Sequence, residues 1–197
     1  MESVAAKIIS YAEKLPEGVP ITPQTLLHFG SRASVDKSLS RLAKAGHFAR
    51  VARGVYVRRI TSRFGTRSPA VERFVEALAA QSGEMIVPSG VSAANRLGLS
   101  TQIPAVATYL TSGRSRNFHF GKMIVEVRHA PRWQTSLGNE PAGEIVRAME
   151  WLGPERAAYV VKGLRGRIEE RTLGRLLTVQ SQLPEWMARS VEELAHG

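Results

Sequence analysis

The sequence predicts an α+β fold in two parts, a helical N-terminal domain ending in a basic two-stranded ribbon and a C-terminal domain that mixes sheet and helix. Three observations lead there. Within the first 45 residues apolar side chains recur at i, i+4 and i+7, as on one buried helix face. Around residues 85–87, 105–111 and 118–128 the chain has short apolar or alternating runs bounded by Gly, Ser and Pro, as strands do. From Glu144 onward helical spacing returns.

Taken in order, Val4, Ile8, Tyr11, Ala12 and Leu15 mark a first helix that stops before Pro16-Glu17-Gly18 and has a structural role. Thr22 is placed to cap a short helix over 23–29, with Pro23 in the first turn, where a missing N–H costs nothing. Gly30 breaks it. Ser31 or Ser34 caps the next helix, and Gly46 closes it in the position that favours a left-handed C-terminal residue. Val35, Leu39 and Leu42 form the buried stripe of that helix. At about 100° per residue Lys37, Ser40, Arg41 and Lys44 fall opposite the stripe, with Ala33, Ser34 and Asp36 near the N-terminal edge. Phe48–Val51 and Val55–Arg58 then pair as a hairpin about Ala52-Arg53-Gly54, with Gly54 supplying a positive φ and Arg53 held at the tip.

Two short helices joined by a Gly-Ser turn and followed by a basic ribbon make a winged helix-turn-helix. In that reading Ser31, Arg32, Ser34, Lys37, Ser40, Arg41 and Lys44 are the DNA-binding candidates of the recognition helix. Arg50, Arg53, Arg58, Arg59 and Arg63 are those of the wing and linker. Arginine meets a guanine edge bidentately, while Lys and Ser reach phosphates or bases. The expected boundaries are 1–60 for the winged helix, 61–70 for a basic linker and 71–197 for the C-terminal domain. The linker either only connects or lays its arginines along a DNA backbone.

In the second domain Val71, Phe74, Val75 and Leu78 predict a helix ending at Gly83. Met85-Ile86-Val87 is a buried strand stopped by Pro88, and Ser89 caps a short helix through Leu97. Residues 105–111 form the next strand, Phe118 and Phe120 lie on a third, and Met123, Val125 and Val127 alternate on a fourth after a Gly121-Lys122 turn. Ile145, Ala148, Met149 and Leu152 mark a helix ended by Gly153-Pro154, and Pro154 starts another through Val161. Ile168, Thr172, Leu176 and Val179 mark a longer helix, and Met187, Val191 and Leu194 the last.

The net charge of +10 is unevenly placed. Residues 1–70 hold twelve Lys and Arg against four Asp and Glu, and residues 71–197 hold fifteen against thirteen. Such a footprint fits a polyanion whose binding weakens steeply with salt. The chain has no cysteine, so disulfides, thiolate catalysis and Cys-ligated zinc are excluded. No apolar run reaches the roughly 20 residues a membrane span needs, and the N-terminus lacks a signal-peptide pattern, so a cytoplasmic protein is expected.

Catalysis has little to be built from, because Asp36 is the only aspartate. The five histidines, His28, His47, His119, His129 and His196, show no metal-ligand spacing, although His119 and His129 lie on neighbouring predicted strands. Gly163-Leu164-Arg165-Gly166-Arg167 lacks the Gly-Lys-Ser/Thr ending of a nucleotide loop and reads as a connection between helices. Trp133, Trp151 and Trp186 read as core or interface anchors. No catalytic residue, cofactor or metal is expected.

Several stretches together resemble the AbiEi-like antitoxins of type IV, abortive-infection toxin-antitoxin operons. They are Gly30-Ser31-Arg32-Ala33-Ser34-Val35-Asp36, Arg53-Gly54-Val55-Tyr56, Pro88-Ser89-Gly90, Ala93-Ala94-Asn95-Arg96-Leu97-Gly98-Leu99-Ser100-Thr101-Gln102-Ile103-Pro104 and Tyr109-Leu110-Thr111-Ser112-Gly113. The first two fit winged helices in general, and the later ones are more diagnostic. The resemblance implies a repressor of its own operon, a C-terminal domain needed for antitoxin action, and a nucleotidyltransferase-like toxin with which no stable complex forms. After Pro131 no motif is assignable to neutralisation.

The function expected from the sequence is therefore sequence-specific binding of double-stranded DNA, at an inverted-repeat operator, by a monomer or weak homodimer. The alternative is a protein-binding antitoxin that blocks a toxin by contact and uses its winged helix for docking. Structured RNA shares the same charge argument.

Overall fold

Helices and strands alternate through the chain in an α+β arrangement, described by a computed structural model at residues 2–63, 65–102 and 106–196. Two compact units divide it. The first comprises Met1–Glu84 with Asn117–Val125, the second Met85–Arg116 with Glu126–Gly197.

The first unit begins with α1 (Val4–Glu13), capped by Ser3, whose Oγ accepts from the Ala6 N–H at 3.2 Å. Its buried residues are Ala5, Ile8 and Ala12; Val4 and Tyr11 of the expected stripe are only half-buried, and Leu15 lies beyond the helix end. The segment Pro23–Phe29 is a 3-10 helix. Its start is tied by the Thr25 hydroxyl, which donates to the Thr22 carbonyl at 2.8 Å. Ser31 rather than Ser34 caps α2 (Arg32–Lys44), its Oγ accepting from the Ser34 N–H at 3.3 Å. At the other end the His47 N–H donates to Leu42 and the Gly46 N–H to Ala43, with Gly46 at φ +87°, which satisfies two carbonyls the helix leaves open.

Strands β1 (Phe48–Ala52) and β2 (Val55–Arg58) pair antiparallel, with a bulge between Arg50 and Ala52. Ile21 adds a bridge on the far side of β2, exchanging hydrogen bonds of 2.8 and 2.9 Å with Tyr56. Ile8, Ile21, Leu26, Val35, Leu39 and Phe48, all within 1% of complete burial, join α1, the 3-10 segment, α2 and the ribbon into one core.

Beyond β2 the structure departs from the expected linker. β3 (Ile60–Ser62) and β4 (Gly65–Arg67) form a second antiparallel hairpin, and α3 (Val71–Ser82) belongs to the first unit, so the division falls at Glu84 and not near residue 60 or 70. The cause is the Pro16-Glu17-Gly18 turn. Glu17 Oε1 accepts from Arg67 Nη1 at 2.9 Å and from the N–H of Ala70, the residue capping α3, at 3.0 Å. A Cβ on Gly18 would stand 2.6 Å from the backbone of Arg73 and Phe74, so only glycine permits this approach. Gln81 Nε2 also donates to the Pro20 carbonyl at 3.1 Å.

β5 (Ile86–Pro88), β6 (Ala107–Thr111), β7 (Arg116–Phe120) and β8 (Met123–His129) form a four-stranded sheet in the order β5-β6-β8-β7, of which residues 117–125 group with the first unit and the rest with the second. Ile86 opposes Thr111 and Val87 opposes Leu110. Residue 105, the expected start of β6, lies outside the described residues, as do Ile103 and Pro104. Helices α4 (Gly90–Arg96), α5 (Arg132–Thr135), α6 (Pro141–Leu152), α7 (Ala157–Leu164), α8 (Glu170–Val179) and α9 (Glu185–Ala195) supply the rest. Pro154 opens a 3-10 turn before α7, and α8 starts after Ile168 instead of including it. The three tryptophans pack half-buried against the helical core.

Among the described residues no helix is long and apolar enough to cross a membrane.

Candidate nucleic-acid interface

Helix α2 buries Val35, Ser38, Leu39 and Leu42 and exposes Lys37, Ser40, Arg41 and Lys44, so its sequence periodicity translates directly into a cationic outer face. The N-terminal candidates differ. Ser31 uses its hydroxyl as a cap, Ser34 is half-buried, and Arg32 donates from Nε to Asp36 at 2.9 Å across one helical turn. Ser31 and Arg32 are thus engaged by the helix itself.

On the ribbon, Arg50 and Arg53 are exposed while Val51, at the bulge, is fully buried. Gly54 has φ +72°, which closes the turn that presents Arg53. Arg58 is half-buried and faces a groove of about 360 Å³ whose other walls include Glu13 and His47. Arg59 borders that groove too, and its N–H donates to the His47 carbonyl at 3.0 Å. Arg63 is exposed between β3 and β4.

A second groove, of about 480 Å³, brings several candidates together. Ser40 and Lys44 of α2, Arg50 of β1 and Arg59 line it with Ser68 and His119, all within the first unit. Ser68 and His119 were not among the expected site residues. The available signal was the alternation Phe118-His119-Phe120, which puts the imidazole opposite two apolar rings, but nothing in the sequence says what that opposite side faces.

The charges of this unit fall into two sets. Arg32, Arg67 and Arg73 each meet a carboxylate, namely Asp36, Glu17 and Glu76. Glu17 is thereby held below the ordinary glutamate value, first by the Ala70 N–H and then by the Arg67 guanidinium. Lys37, Arg41, Lys44, Arg50, Arg53 and Arg59 have no ion-pair partner among the described residues. An unneutralised patch of this kind attracts an anion at long range and keeps its full contact energy for that anion.

In the second unit the buried cation is Arg147, 1% exposed. Its Nη1 donates to the carbonyls of Gly138 at 2.9 Å and Gln134 at 3.3 Å, while Nε and Nη2 have no partner among the described residues. Burial lowers its pKa to about 10, against the opposing pull of Glu144, which is itself bridged to Arg96 at 2.7 Å. His129 contacts the Gly113 carbonyl through Nδ1 at 2.8 Å. Among the described residues no group of three His, Asp or Glu side chains could hold a metal ion.

No curated protein matches the chain. A family profile described as a family of unknown function, DUF6088, matches residues 7–165, which spans most of the chain and enters both compact units. The chain belongs to the DUF6088 family.

Proposed function

We propose that the first unit is a winged helix-turn-helix that binds double-stranded DNA sequence-specifically, and that the chain is a transcriptional repressor of antitoxin type acting on its own promoter. The element order supports the fold reading: α1, a bridging residue at Ile21, a short helix, α2, then the β1–β2 ribbon with Ile21 paired to Tyr56. The observation that carries the function is the set of cations without an ion-pair partner among the described residues, Lys37, Arg41 and Lys44 along one face of α2 and Arg50 and Arg53 on the ribbon, whereas Arg32, Arg67 and Arg73 have carboxylate partners.

In this role Lys37, Ser40 and Arg41 enter a major groove, and Arg50 and Arg53 hold the backbone. One reading helix covers about one half-site, so two copies act on an inverted repeat. The C-terminal unit then serves the antitoxin action implied by the resemblance to the AbiEi-like family, against a nucleotidyltransferase-like toxin with which it forms no stable complex. The protein acts in the cytoplasm without catalysis, cofactor or metal.

The experiment is fluorescence anisotropy of the full chain with its own upstream DNA and with a scrambled duplex, each at two salt concentrations. Tight, salt-sensitive binding to the upstream DNA alone is expected. Equal binding to both duplexes overturns specificity. No binding to either overturns the DNA reading and turns the search to protein docking.

A further inference from the structure

Strand β7 contributes a residue to the basic face that is far from it in sequence. Phe118 and Phe120 stand edge-on to Phe74 of α3, with ring centroids 4.7 and 5.0 Å away, and all three rings are buried. Successive strand side chains leave on opposite faces, so anchoring the two rings fixes His119 on the other, exposed side. There it borders the groove of about 480 Å³ together with Lys44, Arg50 and Arg59 and the hydroxyl residues Ser40 and Ser68.

No carboxylate lines this groove among the described residues. Three cations held around one concavity repel each other, and an incoming anion relieves that repulsion. The hydroxyls and the imidazole add directional donors around the charges. That combination suits an anion with several oxygens disposed around one centre better than a planar carboxylate.

We propose that the groove is a seat for a phosphate group, with Lys44, Arg50, Arg59 and His119 holding one backbone phosphate of a bound duplex. This rests on the DNA-binding reading above and extends it, because it makes the phenylalanine-anchored strand β7 a third contact element beside helix and ribbon. Free phosphate presents the same chemistry, so the test separates the two sources.

In the test, the full chain and its Arg59→Ala, His119→Ala, His119→Gln and Arg41→Ala variants are titrated against a mixed-sequence duplex over a series of salt concentrations. The His119 ring protons are followed by NMR as inorganic phosphate is added. Arg59→Ala is expected to weaken every duplex alike, by about three- to tenfold, and to reduce the salt slope by about one. His119→Ala is expected to weaken binding about two- to fivefold, and His119→Gln, which keeps a donor, to recover most of it. All the substituted side chains are exposed, and unchanged thermal midpoints establish that each variant is folded.

If Arg41→Ala weakens binding while the Arg59 and His119 variants match the wild type, the phosphate seat is overturned and the DNA reading stands. If the wild type binds no duplex, the DNA reading falls. In that case phosphate-induced shifts at His119 that vanish in Arg59→Ala sustain the seat for free phosphate, and their absence overturns it as well.

Discussion

At the scale of single residues, what distinguishes one arginine from another is its partner. Arg41 is exposed on α2 with no ion-pair partner among the described residues, whereas Arg32 on the same helix is engaged by Asp36. Arg41→Ala is therefore expected to cost about 1–3 kcal/mol in duplex binding and to relax preference at one base pair, while Arg53→Ala weakens all duplexes alike and lowers the salt slope by about one. Uniform weakening by Arg41→Ala, read in a competition against substituted operators, would move it from base reading to phosphate contact. Arg147 poses the opposite case, a cation taken out of water. Its depressed pKa corresponds to a burial penalty on the order of 3 kcal/mol, present at every pH below about 10 and fading only above it, so stability between pH 5 and 9 owes no slope to this group. Replacing it removes that penalty but leaves the carbonyls of Gln134 and Gly138 without their donor. Arg147→Met, which fills most of the space, is expected within about 2 kcal/mol of the wild type in urea unfolding, and Arg147→Ala to lose about 3–5 kcal/mol through the added cavity. A Met variant as damaged as the Ala variant would show that the two hydrogen bonds outweigh the burial cost.

At the scale of elements, two helices are placed by contacts with no periodic signature. The start of α3 is held by Glu17, whose folded pKa lies below the ordinary 4.5. A carboxylate shifted that way contributes its full stability above about pH 4.5 and loses it as the pH falls through the lowered value. Protection of the amides at residues 70–74, measured as exchange relative to the intrinsic rate at each pH, is thus expected to fall in the wild type as acid protonates Glu17. Glu17→Gln should exchange faster at neutral pH and show less of that acid response; an identical pH profile in both proteins would remove Glu17 from the anchoring of α3. Helix α4 lies against α6 at Gly90, where a Cβ would stand 2.4 Å from both the Arg147 carbonyl and Trp151 Cβ. Gly90→Ala must drive the two helices apart, and a loss of about 3 kcal/mol or more in urea unfolding is expected, beyond ordinary overpacking because backbone is among the atoms in the way. A loss below about 1 kcal/mol would mean that the helices separate easily.

At the scale of the whole molecule the property to measure is salt dependence. Residues 1–70 carry twelve of the chain's 27 Lys and Arg but only four of its 17 Asp and Glu, and the unpaired cations concentrate on α2 and the ribbon. If about five of them each neutralise a phosphate, log K falls with log salt at a slope of about −4 to −5, several hundredfold between 50 and 200 mM salt. A slope near −1 in the anisotropy titration would mean that this face does not lie along a nucleic-acid backbone. The charge asymmetry was legible in the sequence because it is a count. The outward face of α2 was legible because Val35, Leu39 and Leu42 leave only one way for the helix to turn.

What the sequence by itself determined is what depends on neighbours a few residues apart: the helical stripes of α2, α6 and α9, the Gly46 and Gly83 stops, the Gly54 turn, and the α+β order of elements. Local sterics and periodic burial settle those features. Only the tertiary structure decided that residues 60–67 pair as a second hairpin, that α3 joins the first unit, that Arg58 and Glu13 border one groove while Lys44, Arg50 and Arg59 share another, and that His119 borders the latter. Each of these depends on side chains or glycines tens of residues apart, Glu17 with Ala70, Gly18 with Phe74, Phe74 with Phe118, and such pairs leave no period in the chain because their spacing follows from packing and not from the backbone.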